Sequence, residues 1–199
     1  MAYDAMLWSA TAMSLALFAV LSTVALVMRT TPTLLWALSF LAVLLRTLLA
    51  HAAPYLQHFG AAKPLAWLLS GIATLLYAMG TLALGGRSRV ARTLPYAVTG
   101  LTASLLLVIF QASPALAVLP LEWTAAGFAL AAAGDERANA PLLRIGLSLL
   151  ALRAAIHPFL YYFRATDGMV YPVSLLVWLA AASAGLASIL TDLKRSRDS

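Results

Sequence analysis

The chain has 199 residues, 63% hydrophobic and 10% charged, whereas soluble domains run near 45–50% apolar and about 25% charged. This excludes an ordinary soluble domain and points to a membrane protein. The formal charge of +6 does not indicate nucleic acid, because the basic residues sit in short caps between apolar runs, the pattern of membrane topology. The absence of cysteine excludes disulfides, Cys-ligated zinc, iron–sulfur clusters and a cysteine nucleophile.

The opening "MAYDAM" is acidic and lacks the basic residue of a signal peptide, and no cleavage site leads into a soluble domain. It reads as the start of a retained first helix. A membrane-spanning helix needs about 20 mainly apolar residues, and seven segments approach or meet that length: 7–28, 33–52, 64–84, 94–112, 115–133, 141–162 and 171–191. The fifth is the least regular, since it holds Pro120 and Glu122. Pro32, Pro54, Pro64, Pro95, Pro114 and Pro141 fall at junctions or first turns. Gly85, Gly86 and Gly134 mark helix ends. The fold class predicted is an all-α polytopic bundle of seven transmembrane helices spanning residues 1–191, with 192–199 as a basic tail or the start of a signalling linker.

Charge sets the orientation. With the N-terminus outside, the inner side carries Arg29, Arg87, Arg89, Arg92, Arg137, Arg144, Lys194, Arg195 and Arg197, and the outer side only Lys63 and Arg164. That bias places the C-terminus in the cytoplasm. The final stretch "ASAGLASILTDLKRSRDS" leaves the membrane in helical register and stops abruptly. It fits a helix continuing into a cytoplasmic domain, with the chain as an excised membrane part, or a basic anchor at anionic lipid.

Ionisable residues inside spans are costly and face the bundle interior. Arg46, Glu122, Arg153 and His157 stand out. At about 1.5 Å per residue, Arg46 lies roughly 20 Å from the cytoplasmic end of its helix, Arg153 roughly 18 Å and His157 roughly 24 Å. Glu122 comes to roughly 20 Å from the same side in a core about 30 Å thick. The four therefore share one stratum in the outer half. Arg153 and His157, four apart, share a helix face. A carboxylate opposite one or two guanidiniums, with Pro120 and Pro158 perturbing two helices at that depth, suits a shallow outward-facing cavity for an anionic or carbonyl-bearing amphiphile. The competing readings are structural pairing or snorkelling without a ligand, and proton or ion transport. Trp123, Tyr161 and Tyr162 lie near this stratum and join the candidates. The other aromatics, Trp8, Trp36, Trp67 and Trp178 included, read as an aromatic belt at span ends. The small residues Ala181, Ser183, Gly185 and Ala187 permit close packing within the bundle or a dimer face. His51, His58 and His157 form no metal or haem pattern, and no nucleotide-binding or hydrolase motif is present. No cofactor is expected.

The segments "WALSFLAVLLRTLL" and "LLALRAAIHPFL", with the seven-helix layout and basic exit, resemble one family. It is the N-terminal multi-helix sensor region of bacterial membrane-bound signalling proteins, of the diguanylate cyclase (GGDEF) and sensor histidine kinase kind. The resemblance covers essentially the whole chain and rests on Arg46 in the second helix and the His157–Pro158 pair in the sixth. It implies a multi-pass protein of the bacterial inner membrane, commonly a homodimer, joined through a helical linker beginning near Asp192 to a cytoplasmic output domain. The chain departs from the family in lacking a GGDEF sequence, a phospho-accepting histidine box and an ATP-binding motif. The resemblance therefore implies a receiver that is not itself an enzyme. Arg46, Glu122, Trp123, Arg153, His157 and Tyr161 are the candidate ligand-binding residues, for a small-molecule signal and not nucleic acid.

Overall fold

The computed structural model describes residues 2–52, 55, 62–84, 87–110, 112–135, 141–162, 175–183 and 185–187; the side chains of 2–3, 62–64, 87–88, 114 and 160–162 are excluded. Pro54, His58, Gly85, Gly86, Arg137, Arg164 and the tail from Asp192 lie outside these residues, as do the side chains of Lys63, Tyr161 and Tyr162. The architecture is an all-α bundle of α1 (Ala2–Met28), α2 (Thr31–Ala52), α3 (Ala62–Ala83), α4 (Arg87–Ile109), α5 (Pro114–Ala133) and α6 (Pro141–Tyr162). A short apolar helix follows, α7 (Leu175–Ala187). The first six are long and apolar enough to cross a membrane. In α7 the described residues fall short of that length, and the flanks 171–174 and 188–191 of the expected span lie outside them.

Local chemistry accounts for the ends. In α5, Ser113 is the N-cap and its hydroxyl accepts from the Leu116 N–H, Pro114 occupies the first turn, and Gly134 closes the helix. Between α1 and α2 the chain turns in two residues, with Arg29 at φ 49° and the Thr30 carbonyl accepting from Leu34 N–H. The expected start of the fourth helix at residue 94 is corrected: α4 begins at Arg87, so the basic stretch is helical and Pro95 lies inside the helix. Tertiary contacts hold these extra turns. Val90 packs on the core, and Arg89 pairs with Asp135 just beyond α5. That pair brings the start of α4 and the end of α5 to one end of the bundle, as an up-and-down arrangement requires.

α3 is the centre. It packs against α2, α4, α5 and α6, and 78% of its apolar window is buried, against 17% for α1 and α4. The outer faces of α1 and α4 instead carry exposed residues such as Leu26, Val27, Val98 and Ile109, which suits hydrocarbon as the surrounding solvent. α7 is tied to α3 by two long-range hydrogen bonds: Tyr77 O–H donates to the Ala182 carbonyl at 2.9 Å, and Trp178 Nε1–H to Thr74 Oγ1 at 3.2 Å. Of the small residues of α7, Ala181 and Gly185 pack against α6 and α3, while Ala187 is exposed. A Cβ added at Gly146 on α6 would come 2.9 Å from the Ala181 carbonyl oxygen, so the α6 and α7 backbones touch there.

Gly146→Ala is therefore expected to destabilise the protein by about 1–3 kcal/mol through overpacking against backbone. Gly127→Ala, on an exposed turn of α5 with nothing within 4 Å of the added methyl, is expected to be neutral or to stabilise by up to about 1 kcal/mol. Thermal unfolding of the two variants in the same detergent checks the contrast; equal midpoints would rule out the α6–α7 contact.

Candidate functional site

Four of the six candidate residues have described side chains that point inward. Arg46, Glu122 and His157 are buried, and Arg153 is half-buried. Glu122 and His157 meet directly: His157 Nδ1 lies 2.8 Å from Glu122 Oε1, so the tautomer protonated at Nδ1 donates to the carboxylate. The second carboxylate oxygen, Oε2, has no hydrogen-bond partner among the described residues. On the other side of the imidazole, Trp67 stacks at 4.1 Å between centroids with 14° between planes. α5 and α3 thus both meet His157 of α6.

Arg153, one turn before His157 on α6, donates from Nη2 to Ser70 Oγ on α3 at 2.6 Å. Arg46 enters from α2. Ser39 Oγ donates to the Ala73 carbonyl at 2.7 Å, which fixes the antiparallel register of α2 on α3. Seven residues on, two turns along the same face, Arg46 comes level with Ala66 and Trp67. The charges of Glu122, Arg153 and Arg46 all act on the His157 ring. The cluster is one carboxylate, one imidazole and two guanidiniums, drawn from α2, α5 and α6 around α3.

Two features of α3 and α5 allow this approach. A Cβ at Gly71 would lie 2.9 Å from Leu121 Cγ and 3.5 Å from Glu122 Cδ, so only a residue without a side chain lets the Glu122 turn of α5 seat here. Pro120 removes a donor from α5 just before Glu122. The neighbouring Leu121 N–H donates to the buried Ser104 Oγ of α4 at 3.0 Å. A hydroxyl from the next helix stabilises the perturbed turn, as happens when water is absent.

The remaining candidates do not join the cluster. Trp123 is 51% exposed on the outer face of α5, next to Glu122 in sequence but turned away from it by the helix. The Tyr161 side chain lies outside the described residues. Trp36, Trp67 and Trp178 are buried, which corrects the belt reading for these three. Each sits where α3 meets another helix and is filled against core, whereas Trp8 and Trp123 remain on the outside. The sequence reading places Trp67 and Trp178 in the belt and assigns Ser70 and Thr74 no role. The available signal was a polar residue every fourth position on α3, at Ser70 and Thr74.

Beside Arg153 a half-open cleft of about 120 Å³ separates α6 from α7, lined by Leu149, Leu150, Arg153, Val177, Trp178 and Ala181. Among the described residues no group of three or more His, Asp or Glu is placed to hold a metal ion. The site is therefore a buried polar cluster whose arginine reaches an apolar cleft. Comparison with protein-family models, curated proteins and solved structures returns no match.

Truncating Glu122 to leucine leaves His157 Nδ1 buried without its acceptor, at an expected cost of about 1–3 kcal/mol. Combining it with His157→Leu is expected to cost less than the sum of the single changes, because the second change removes the orphaned group. A double-mutant cycle by chemical unfolding in micelles measures this; strict additivity would show that the two side chains do not interact.

Proposed function

We propose that the chain is a membrane-embedded sensory module. It binds a small amphiphilic or anionic signal in the outer half of the bundle and passes the change through α7 to a cytoplasmic output domain. The observation that carries this reading is the double engagement of Arg153, which hydrogen-bonds Ser70 on α3 and lines the cleft against Trp178 of α7. Trp178 in turn is held by Thr74, one turn from Ser70 on the same helix. A ligand that engages the guanidinium and fills the cleft acts on the anchor of α7 directly. Differential contact with two positions of α7 is the physical minimum for a signal.

The asymmetry of basic residues supports an outer N-terminus and an inner C-terminus. With that orientation α7 leaves the membrane on the cytoplasmic side, where the resemblance to bacterial sensor regions places a linker, a homodimer contact and the output domain. In this reading the chain itself catalyses nothing and resides in the bacterial inner membrane. The structural reading draws on the Glu122–His157 bond, which joins α5 to α6.

The chain has no cysteine, so spin labels go only where cysteines are introduced. Labels at Leu26 of α1 and Ala187 of α7, both exposed, report the position of α7. Adding decanoate, an anionic amphiphile, is expected to shift the interlabel distance distribution, and Arg153→Gln is expected to abolish the shift. An unmoved α7 together with decanoate flux in proteoliposomes that Arg153→Gln blocks would replace the sensor by a transporter. An unmoved α7 without flux or binding would leave the structural role.

A further inference from the structure

We infer that the α6–α7 cleft is a binding site for the head of an anionic amphiphile that enters sideways from the bilayer. This deepens the sensory reading and rests on it for the consequence of binding, but not for the site. The walls show the direction of entry. The floor is buried, with Leu150 at 1% and Trp178 at 2% exposure, while the rim residues Leu149 and Val177 are 45% and 50% exposed. α6 continues that rim outward as an apolar stripe, Leu142, Ile145, Leu149, Leu152 and Ile156, all exposed at the three- and four-residue spacing of one helix face. A surface of this kind faces hydrocarbon. The cleft therefore opens toward lipid, and a ligand reaches it along the membrane plane.

Size and charge set the ligand class. At about 120 Å³ the cleft is close to the ~150 Å³ of an apolar cavity that admits benzene. It is well below the roughly 300–1,000 Å³ of sites that enclose a drug-sized molecule. It holds a small head, and the chain of the ligand stays in the bilayer against the α6 stripe. Arg153 is the charged group in the lining, and its planar guanidinium favours a carboxylate or phosphate oxyanion. The oxyanion is the shared chemistry of a fatty acid, an acidic lipid head and a free water-borne anion. The lipid-facing rim and the apolar floor favour the membrane-borne form.

The geometry also explains why this position is sensitive. α6 and α7 touch backbone to side chain position at Gly146 and Ala181, and part toward Leu150, Trp178 and Arg153. The helices are also close at Leu143 and Gly185, so α7 is seated on α6 on one side of the cleft. A group held in it bears on Trp178 and Val177 of α7 directly.

The test is photolabelling with a diazirine-bearing fatty acid in nanodiscs of phosphatidylcholine, with adducts mapped by mass spectrometry. Adducts are expected to concentrate at Leu149, Val177 and Ala181, to be displaced by excess oleate and to resist acetate. Arg153→Gln is expected to reduce them by about tenfold or more, the effect on a binding constant of one lost charge-assisted hydrogen bond. Val177→Trp closes the mouth from an exposed position, leaves the buried cluster untouched, and is expected to give the same loss with unchanged helicity. Adducts spread evenly over the outward faces of α1 and α4, and indifferent to both variants, would reduce the cleft to annular lipid and overturn the proposal. Equal displacement by acetate would identify a water-borne anion and overturn sideways entry. Labelling at the cleft with an unmoved α7 would keep the site and defeat the sensory reading alone; movement of α7 without labelling at the cleft would do the reverse.

Discussion

Glu122 has no exposed surface, and a carboxylate moved into an apolar interior without compensation is among the most costly groups a chain can bury. Compensation requires donors or cations at one depth from helices far apart in sequence. His157 supplies the hydrogen bond, and Arg46 and Arg153 supply positive charge acting on the same imidazole. Bringing those groups together constrains α2, α5 and α6 around α3, and it fixes register where apolar packing alone is forgiving. The glycine at position 71 and the proline at position 120 belong to this constraint. The first lets α5 come close enough, and the second is tolerated because Ser104 takes up the neighbouring Leu121 N–H.

α3 carries the consequences onward. Ser70 and Thr74 lie one turn apart on it, and the Thr74 hydroxyl also donates to the Ser70 carbonyl at 3.2 Å. Arg153 engages the first and Trp178 the second. The buried cluster and the anchor of α7 are therefore neighbours on a single helix face. Contiguity is not coupling by itself. What makes coupling physically reasonable here is that the Tyr77 and Thr74 contacts to α7 lie beside a cleft, an arrangement with room for a second packing.

Much of the fold was legible because its signals are local. Apolar runs of membrane length, prolines at first turns and Gly134 after α5 each have a direct physical reading. The start of α4 was misplaced because Pro95 invited a boundary, and the contacts that extend the helix, Val90 on the core and Arg89 with Asp135, are tertiary. The site was legible in outline through the rarity of charge: four ionisable residues in apolar spans could be found by inspection, and rise per residue placed them at one depth. Their partners were not, because serine, threonine and tryptophan are ordinary in such helices. Trp67 and Trp178 resemble belt residues in sequence and are buried only because other helices cover them.

The relation between the cluster and the cleft decides how the protein is best understood. If the polar groups only held the bundle together, the economical solution would be a closed network, every member surrounded by protein. Instead Arg153 is half-buried, and its side chain forms part of a cleft whose remaining lining is apolar. In the proposed reading, an anion that reaches Arg153 from the cleft competes with the contacts that hold its side chain on α3, and so alters what holds α7. On that proposal, structural neutralisation and ligand recognition are two uses of one residue, and the helix they both touch is the one that leads toward the cytoplasm in the proposed topology.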